Sequence, residues 1–175
     1  MTNNQRIGPK SGTVYLRRAR LDDFENLTQL YRVSRRHLRG RAATQYDRAR
    51  FEQMLADAAT ESNEYFLICR SADEAIVGQI NLSQIFRKSF QNAYLGYQLF
   101  SEFTGHGYMT EAVGHALRFA FSGLALHRLE ANVQPTNLPS IRVLTRCGFT
   151  KEGFSRRYLK IGGRWRDHER WAIIR

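Results

Sequence analysis

Cysteine is scarce in this 175-residue chain: only Cys69 and Cys147. They stand far apart, with no second Cys or His at metal-ligand spacing, so a disulfide framework and a zinc site give way to two idle thiols. Proline is scarce too, at three residues, and no low-complexity tract argues for disorder. No apolar run approaches the 18 residues that a membrane span requires. The first eleven residues, Met1 to Ser11, are polar and contain Gly8-Pro9, without the apolar core of a secretory signal. The expectation is a cytoplasmic protein without membrane or metal. Acidic residues are also few, 16 against 27 Lys and Arg, for a net charge of +11. That balance favours polyanionic company: nucleic acid, a ribosomal surface or a phosphate-rich ligand. It fits equally an Arg content spread from Arg6 to Arg175, apart from one cluster at Arg32, Arg35, Arg36, His37, Arg39 and Arg41.

What is present suits one domain, since a chain of this length rarely divides further. The reading is a flexible tail over residues 1–12 and a single domain over 13–175. Val14 to Arg18 reads as a strand, and Asp22-Asp23 opens a helix on which Phe24, Leu27, Leu30, Tyr31 and Ser34 share a face. A second short helix carries Phe51, Met54 and Leu55. Runs at Tyr65 to Cys69, Ala75 to Leu82 and Ala93 to Phe100 predict an antiparallel meander. Val113, Ala116, Leu117, Ala120, Phe121 and Leu124 form a helical stripe. His127 to Val133 alternates as a strand, and Asn137-Leu138-Pro139-Ser140 starts a short helix ending at Gly148. A hairpin at Thr150 to Ile161 and Arg164 to Ile174, turned by Gly162-Gly163, closes the chain. The order β-α-α-β-β-β-α-β-α-β-β predicts a mixed α/β (α+β) sheet without regular βαβ alternation.

Gly105 and Gly107 lie between a strand and a helix, where glycines let backbone N–H groups crowd around an anion and the helix N-terminus adds partial positive charge. A tight strand-to-helix turn would use the same residues. The loop lacks the Walker pattern and the third glycine of a dinucleotide fingerprint, which weakens both nucleotide readings.

Several ordered motifs make the loop more specific. Tyr94-Leu95-Gly96-Tyr97-Gln98-Leu99 followed by Gly105-His106-Gly107-Tyr108-Met109-Thr110-Glu111-Ala112 resembles the coenzyme A motif of GNAT-superfamily N-acetyltransferases. His127-Arg128-Leu129-Glu130-Ala131, Asn137-Leu138-Pro139-Ser140, Leu144, Cys147-Gly148-Phe149 and Lys151-Glu152-Gly153 look like its RimJ/RimL branch, the ribosomal-protein acetyltransferases. Trp165-Arg166-Asp167-His168 is similar to RimJ-type sequences. The resemblance spans roughly residues 13 to 174.

It implies the GNAT fold with a splayed central sheet, acetyl-coenzyme A as co-substrate, and direct attack by a primary amine. Tyr97, Gln98 and Leu99 would hold the pantetheine arm and thioester carbonyl through the backbone. Gly105, His106, Gly107, Tyr108, Met109 and Thr110 would hold the pyrophosphate. Thr104 and Met109 depart from the family's usual Gln or Arg and small residue. Asn137 would bond the cofactor arm while also capping its helix. Ser140 matches the residue that protonates the leaving thiolate; other branches use a Tyr four positions later, where Leu144 stands. A Glu that the RimL branch carries near Leu159 is missing, so the general base stays open among Glu130, Asp167, His168 and water. The Arg cluster would border the acceptor groove, as would Tyr158, Trp165 and Trp171 if they are not packing residues.

The acceptor so implied is a protein N-terminus, ribosomal or other, with possible ribosome association. A small amine such as a polyamine, antibiotic or amino-sugar is compatible with the same fold. So is a non-catalytic basic module that binds RNA. Monomer and homodimer are equally open.

Overall fold

The computed structural model describes residues 6–39 and 46–175. β1 (Val14–Arg18) leads through a 3-10 turn at Leu21–Asp23 into α1 (Phe24–Leu38), and α2 (Arg48–Ala58) follows. The meander is β2 (Glu64–Arg70), β3 (Ile76–Phe86) and β4 (Asn92–Leu99). Then come α3 (Tyr108–Arg118), β5 (Arg128–Val133), α4 (Leu138–Arg146) and the hairpin of β6 (Thr150–Ile161) and β7 (Arg164–Ile174). Gly162 and Gly163 both take positive φ, +57° and +80°, as a tight hairpin turn requires.

The seven strands form one sheet in the order β1-β2-β3-β4-β5-β7-β6. Every neighbouring pair is antiparallel except β4 and β5. Those two pair only at Asn92–Arg128, Ala93–Leu129 and Tyr94–Glu130. Past Tyr94 the strands part while each runs on, to Leu99 and to Val133. The wedge leaves the β5-facing backbone groups of Leu95 to Leu99 without a neighbouring strand, and such groups need another partner.

Apolar residues at helical spacing cover both faces of the sheet. On one face, Ala112, Val113, Ala116 and Ala120 pack with Leu144, Phe149, Ile80, Leu82 and Leu129. On the other, Leu27, Leu30, Tyr31 and Leu38 of α1 pack with Phe51 and with Leu67 and Phe100. Asp47 starts α2 by accepting the Arg50 N–H at 2.9 Å, a side-chain cap. The expected stripe through Phe121 and Leu124 is not one α-helix. The ladder changes to a π turn at Phe119–Gly123, where Ser122-Gly123 are poor helix formers, and both apolar residues remain packed on the core.

Of the first twelve residues, 6–12 lie against the domain. Ile7 exchanges two backbone hydrogen bonds with Leu16, of 2.8 and 2.9 Å, which covers part of the edge of β1. Among the described residues no helix is long and apolar enough to cross a membrane.

Candidate active site

Gly105 and Gly107 have φ of +87° and +80°, a region that costs most residues about 1–2 kcal/mol and glycine nothing. A Cβ at either would meet nothing within 4 Å, so the loop fronts open space at the start of α3. That space is a cleft of about 400 Å³. Its walls are Thr104, Gly105, Gly107, Met109 and Thr110 of the loop, Tyr97 to Leu99 of β4, and Asn137, Ser140, Arg142 and Arg146 around α4. His106 and Tyr108 are not among its walls; their rings stack on each other with centroids 5.4 Å apart. The residues that break the family pattern are accommodated. Thr104 turns its hydroxyl to the Ser101 carbonyl at 3.1 Å, and Met109 is buried in the core.

Arg142 and Arg146 are additions that sequence reading missed. Their i, i+4 spacing puts both on one face of α4, just after Ser140, and that spacing was the available signal. The arrangement suits coenzyme A: backbone N–H groups and a helix N-terminus for the pyrophosphate, two guanidiniums for further phosphate, and unpaired β4 backbone for the arm.

A second cleft, of about 340 Å³, opens on the other side of the wedge, and Tyr97, Gln98, Asn137 and Ser140 line both. At this junction the Tyr97 and Ser140 hydroxyls lie 2.8 Å apart, and Tyr97 Oη also reaches the Ser140 carbonyl at 3.3 Å. Ser140 Oγ is thus held by β4. Burial pushes the Tyr97 phenol well above its ordinary range, with the Ser140 hydrogen bond pulling part of the way back. No local motif announces this hydroxyl pair, since the resemblance implies only a backbone role for Tyr97. Asn137 does not cap α4 with its side chain, against expectation; its backbone carbonyl accepts from Ile141 N–H at 3.1 Å. The side chain is left to the clefts.

The second cleft is walled by neutral amides and hydroxyls and by apolar side chains such as Leu144, Leu159 and Ile161, with Arg50 and His168 its basic groups. Behind it Gln79 Oε1 accepts from the Tyr31 hydroxyl at 2.8 Å and from Gln98 Nε2 at 2.9 Å, while Gln98 Nε2 lies 2.6 Å from Tyr31 Oη. Of the three side chains considered as base, only His168 lines this cleft. It is buried, and its Nδ1 lies 3.0 Å from the Arg166 carbonyl. A donating Nδ1–H there leaves Nε2 as the lone-pair nitrogen. Glu130 is paired with Arg128 at 2.9 Å, and Asp167 accepts the Arg157 N–H at 2.7 Å inside the β6–β7 irregularity.

Of the Arg cluster, His37, with neighbouring Leu38, lines the first cleft, because α1 is long enough to pass the second at Tyr31 and reach the first near its C-terminus. Arg32, Arg35, Arg36 and Arg39 are exposed, and Arg41 lies outside the described residues. Tyr158, Trp165 and Trp171 line neither cleft. Burial pushes both thiols, Cys69 and Cys147, above their ordinary range, in keeping with idle roles.

Comparison with known proteins agrees with this fold. A protein of Bacillus subtilis named Probable N-acetyltransferase YjcK is 46% identical over 110 residues, 63% of this chain and 61% of that protein. The [Ribosomal protein uS5]-alanine N-acetyltransferase of Escherichia coli is 40% identical over 109 residues, 62% of this chain and 56% of that protein. The matches therefore span less than two thirds of these relatives' own lengths. RimJ of Mycobacterium smegmatis, solved in complex with CoA-disulfide, superposes with a TM-score of 0.87 at 31% identity, covering 98% of this chain and 88% of that one. The family model for the acetyltransferase (GNAT) domain matches residues 13–150, and the chain belongs to that family.

Proposed function

We propose that the chain is an N-acetyltransferase that moves acetyl from acetyl-coenzyme A to the α-amino group of a protein N-terminus. The observation that carries this reading is the meeting of two clefts at the Tyr97–Ser140 hydroxyl pair, where β4 and β5 part. One cleft suits a phosphate-rich thioester and the other an amine, so each reaches the junction from its own side of the sheet. Acetyl-coenzyme A supplies an activated acetyl group. This chain's residues supply the rest. Backbone N–H of the unpaired stretch of β4 stabilises charge on the carbonyl oxygen. His168 Nε2 takes the proton that the attacking amine must lose. Ser140 Oγ, held by the Tyr97 hydroxyl, gives a proton to the departing thiolate and recovers one from solvent before the next turnover.

The protein acceptor is favoured over a polyamine by the second cleft's walls, none of which, among the described residues, is Asp or Glu. A polycation would desolvate its extra charges there without compensation. Two carboxylates stand in the adjoining depression, but Glu64 is paired with Arg18 at 2.6 Å and Asp57 accepts from Gln53 Nε2 at 2.8 Å. The relative in Escherichia coli, by its name, acts on alanine of ribosomal protein uS5, which supports a ribosomal acceptor. The test is thiol release from acetyl-coenzyme A with a panel of N-terminal peptides, spermidine and an aminoglycoside. Turnover with peptides alone is expected; turnover with the small amines alone overturns the protein reading.

A further inference from the structure

We infer that Gln79 and Asn132 form a hydrogen-bonding pair that reads the first peptide unit of the acceptor, Gln79 Nε2 donating to its carbonyl and Asn132 Oδ1 accepting its N–H. The inference rests on the proposed protein N-terminal acceptor and adds to it which backbone groups are recognised. Both residues line the second cleft. Both present a buried polar atom without a partner: Nε2 of Gln79 and Oδ1 of Asn132. Gln79 is 4% exposed. A buried polar atom left unsatisfied is costly, and folded proteins keep few of them. Here one is a donor and the other an acceptor, in the same cleft.

Their placement follows from their neighbours. With Gln79 Oε1 accepting from Tyr31 and Gln98, Nε2 is the atom left over, on the side where the Tyr46 hydroxyl also approaches Gln79. On β5, Ala131 and Val133 are buried in the α3/α4 core, so the alternation of a strand sends Asn132 to the opposite face. Gln79 alternates with Ile80 of that same core and is therefore on the face of Asn132. Gln79 is opposite Gln98 on β4, while Asn132 lies two residues past the last β4–β5 pair, at Tyr94–Glu130. Asn132 thus borders the wedge from β5, and Gln79 stands one strand behind β4 on the same face of the sheet. A peptide unit carries its C=O and N–H on opposite edges, as a strand does between two neighbours. A polyamine or amino-sugar has no such unit adjacent to its amine.

The test compares alanyl-alanyl-alanine amide with its analogue in which the first peptide N–H is replaced by an ester oxygen, on the wild type and on Asn132→Leu. Coenzyme A titration calorimetry and thermal melting confirm that the variant folds and binds cofactor. In the wild type the ester should raise acceptor KM about tenfold with kcat within threefold, as loss of one buried partner predicts. In Asn132→Leu that difference should vanish, both acceptors having the high KM. A second variant, Gln79→Met, should raise KM for amide and ester alike without changing their ratio. Equal KM for ester and amide in the wild type, or an ester effect that survives Asn132→Leu, overturns the inference while leaving peptide acetylation intact. If neither peptide is acetylated but small amines are, the protein-acceptor reading falls and takes this one with it.

Discussion

The proposed cofactor cleft and the proposed acceptor cleft share four residues and little else in how they are made. The first would bind an anion through backbone: two glycines at positive φ, the N-terminus of α3 and an unpaired stretch of β4, with Arg142 and Arg146 at the edge. The second is made of side chains brought by β3, β4, β5, β7 and the first two helices: Gln79, Asn81, Gln98, Asn132, His168, Tyr31 and Arg50. A backbone-built site tolerates many side chains but few φ angles. A side-chain site tolerates backbone variation but depends on each group. Substitutions should therefore fail differently on the two sides.

The largest loss is expected where the two sides meet. Ser140→Ala should lower kcat about 1,000-fold, within the span usual for a positioned proton donor, with cofactor affinity within twofold by calorimetry. Tyr97→Phe should cost less, about tenfold, since it acts through Ser140. Equal losses in the two variants would mean that the hydroxyls act as one unit. Full turnover in Ser140→Ala would remove the acid from the acceptor–cofactor junction altogether.

On the acceptor side alone, His168→Gln should lower kcat about 100-fold near neutral pH, at the low end for a lost base because water can take over. Turnover of His168→Gln within threefold of the wild type would clear His168 of the role.

These contrasts explain what could be read from sequence. The fold was legible nearly to the residue, because strands alternate and helices carry stripes that Val14, Leu27, Val113 and Leu129 mark locally. The loop that walls the first cleft was legible at Gly105 and Gly107, since the demand for positive φ leaves glycines at fixed spacing in one short segment. His106 and Tyr108 came along only because they sit between and after those glycines. The acceptor cleft left no such mark. Gln79 and Asn132 are 53 positions apart and meet only through the strand order, and the Tyr97–Ser140 pair likewise joins β4 to α4. Which cleft the end of α1 meets was hidden for the same reason: α1 borders both clefts, and only its length decides which end faces which.

On the cofactor side, Gly107→Val should weaken coenzyme A binding about tenfold, because its φ of +80° costs a β-branched residue at least about 1–2 kcal/mol. Since an added Cβ would touch no protein atom within 4 Å, the loss belongs to backbone strain and to the ligand, not to a clash within the fold. Saturating cofactor should restore kcat to within threefold. A variant with intact affinity would show that the loop's N–H groups are not the anion site.

The smallest effect separates charge from backbone within the cofactor cleft. Arg142 and Arg146 stand at its edge, where water and salt screen them, and an exposed ionic contact gives about 0.2–1 kcal/mol. Replacing either with Gln should weaken coenzyme A binding no more than about fivefold at low salt, and the two losses should nearly add if each guanidinium meets a different phosphate. Raising ionic strength shortens the Debye length from ~30 Å at 0.01 M to ~10 Å at 0.1 M, so the wild type should lose affinity faster than the double variant. Gly107→Val should instead keep the wild-type salt slope, since its defect is steric. Parallel slopes for the wild type and the double variant would mean that the guanidiniums line the cleft without touching phosphate, leaving the backbone cradle as the whole of the anion site.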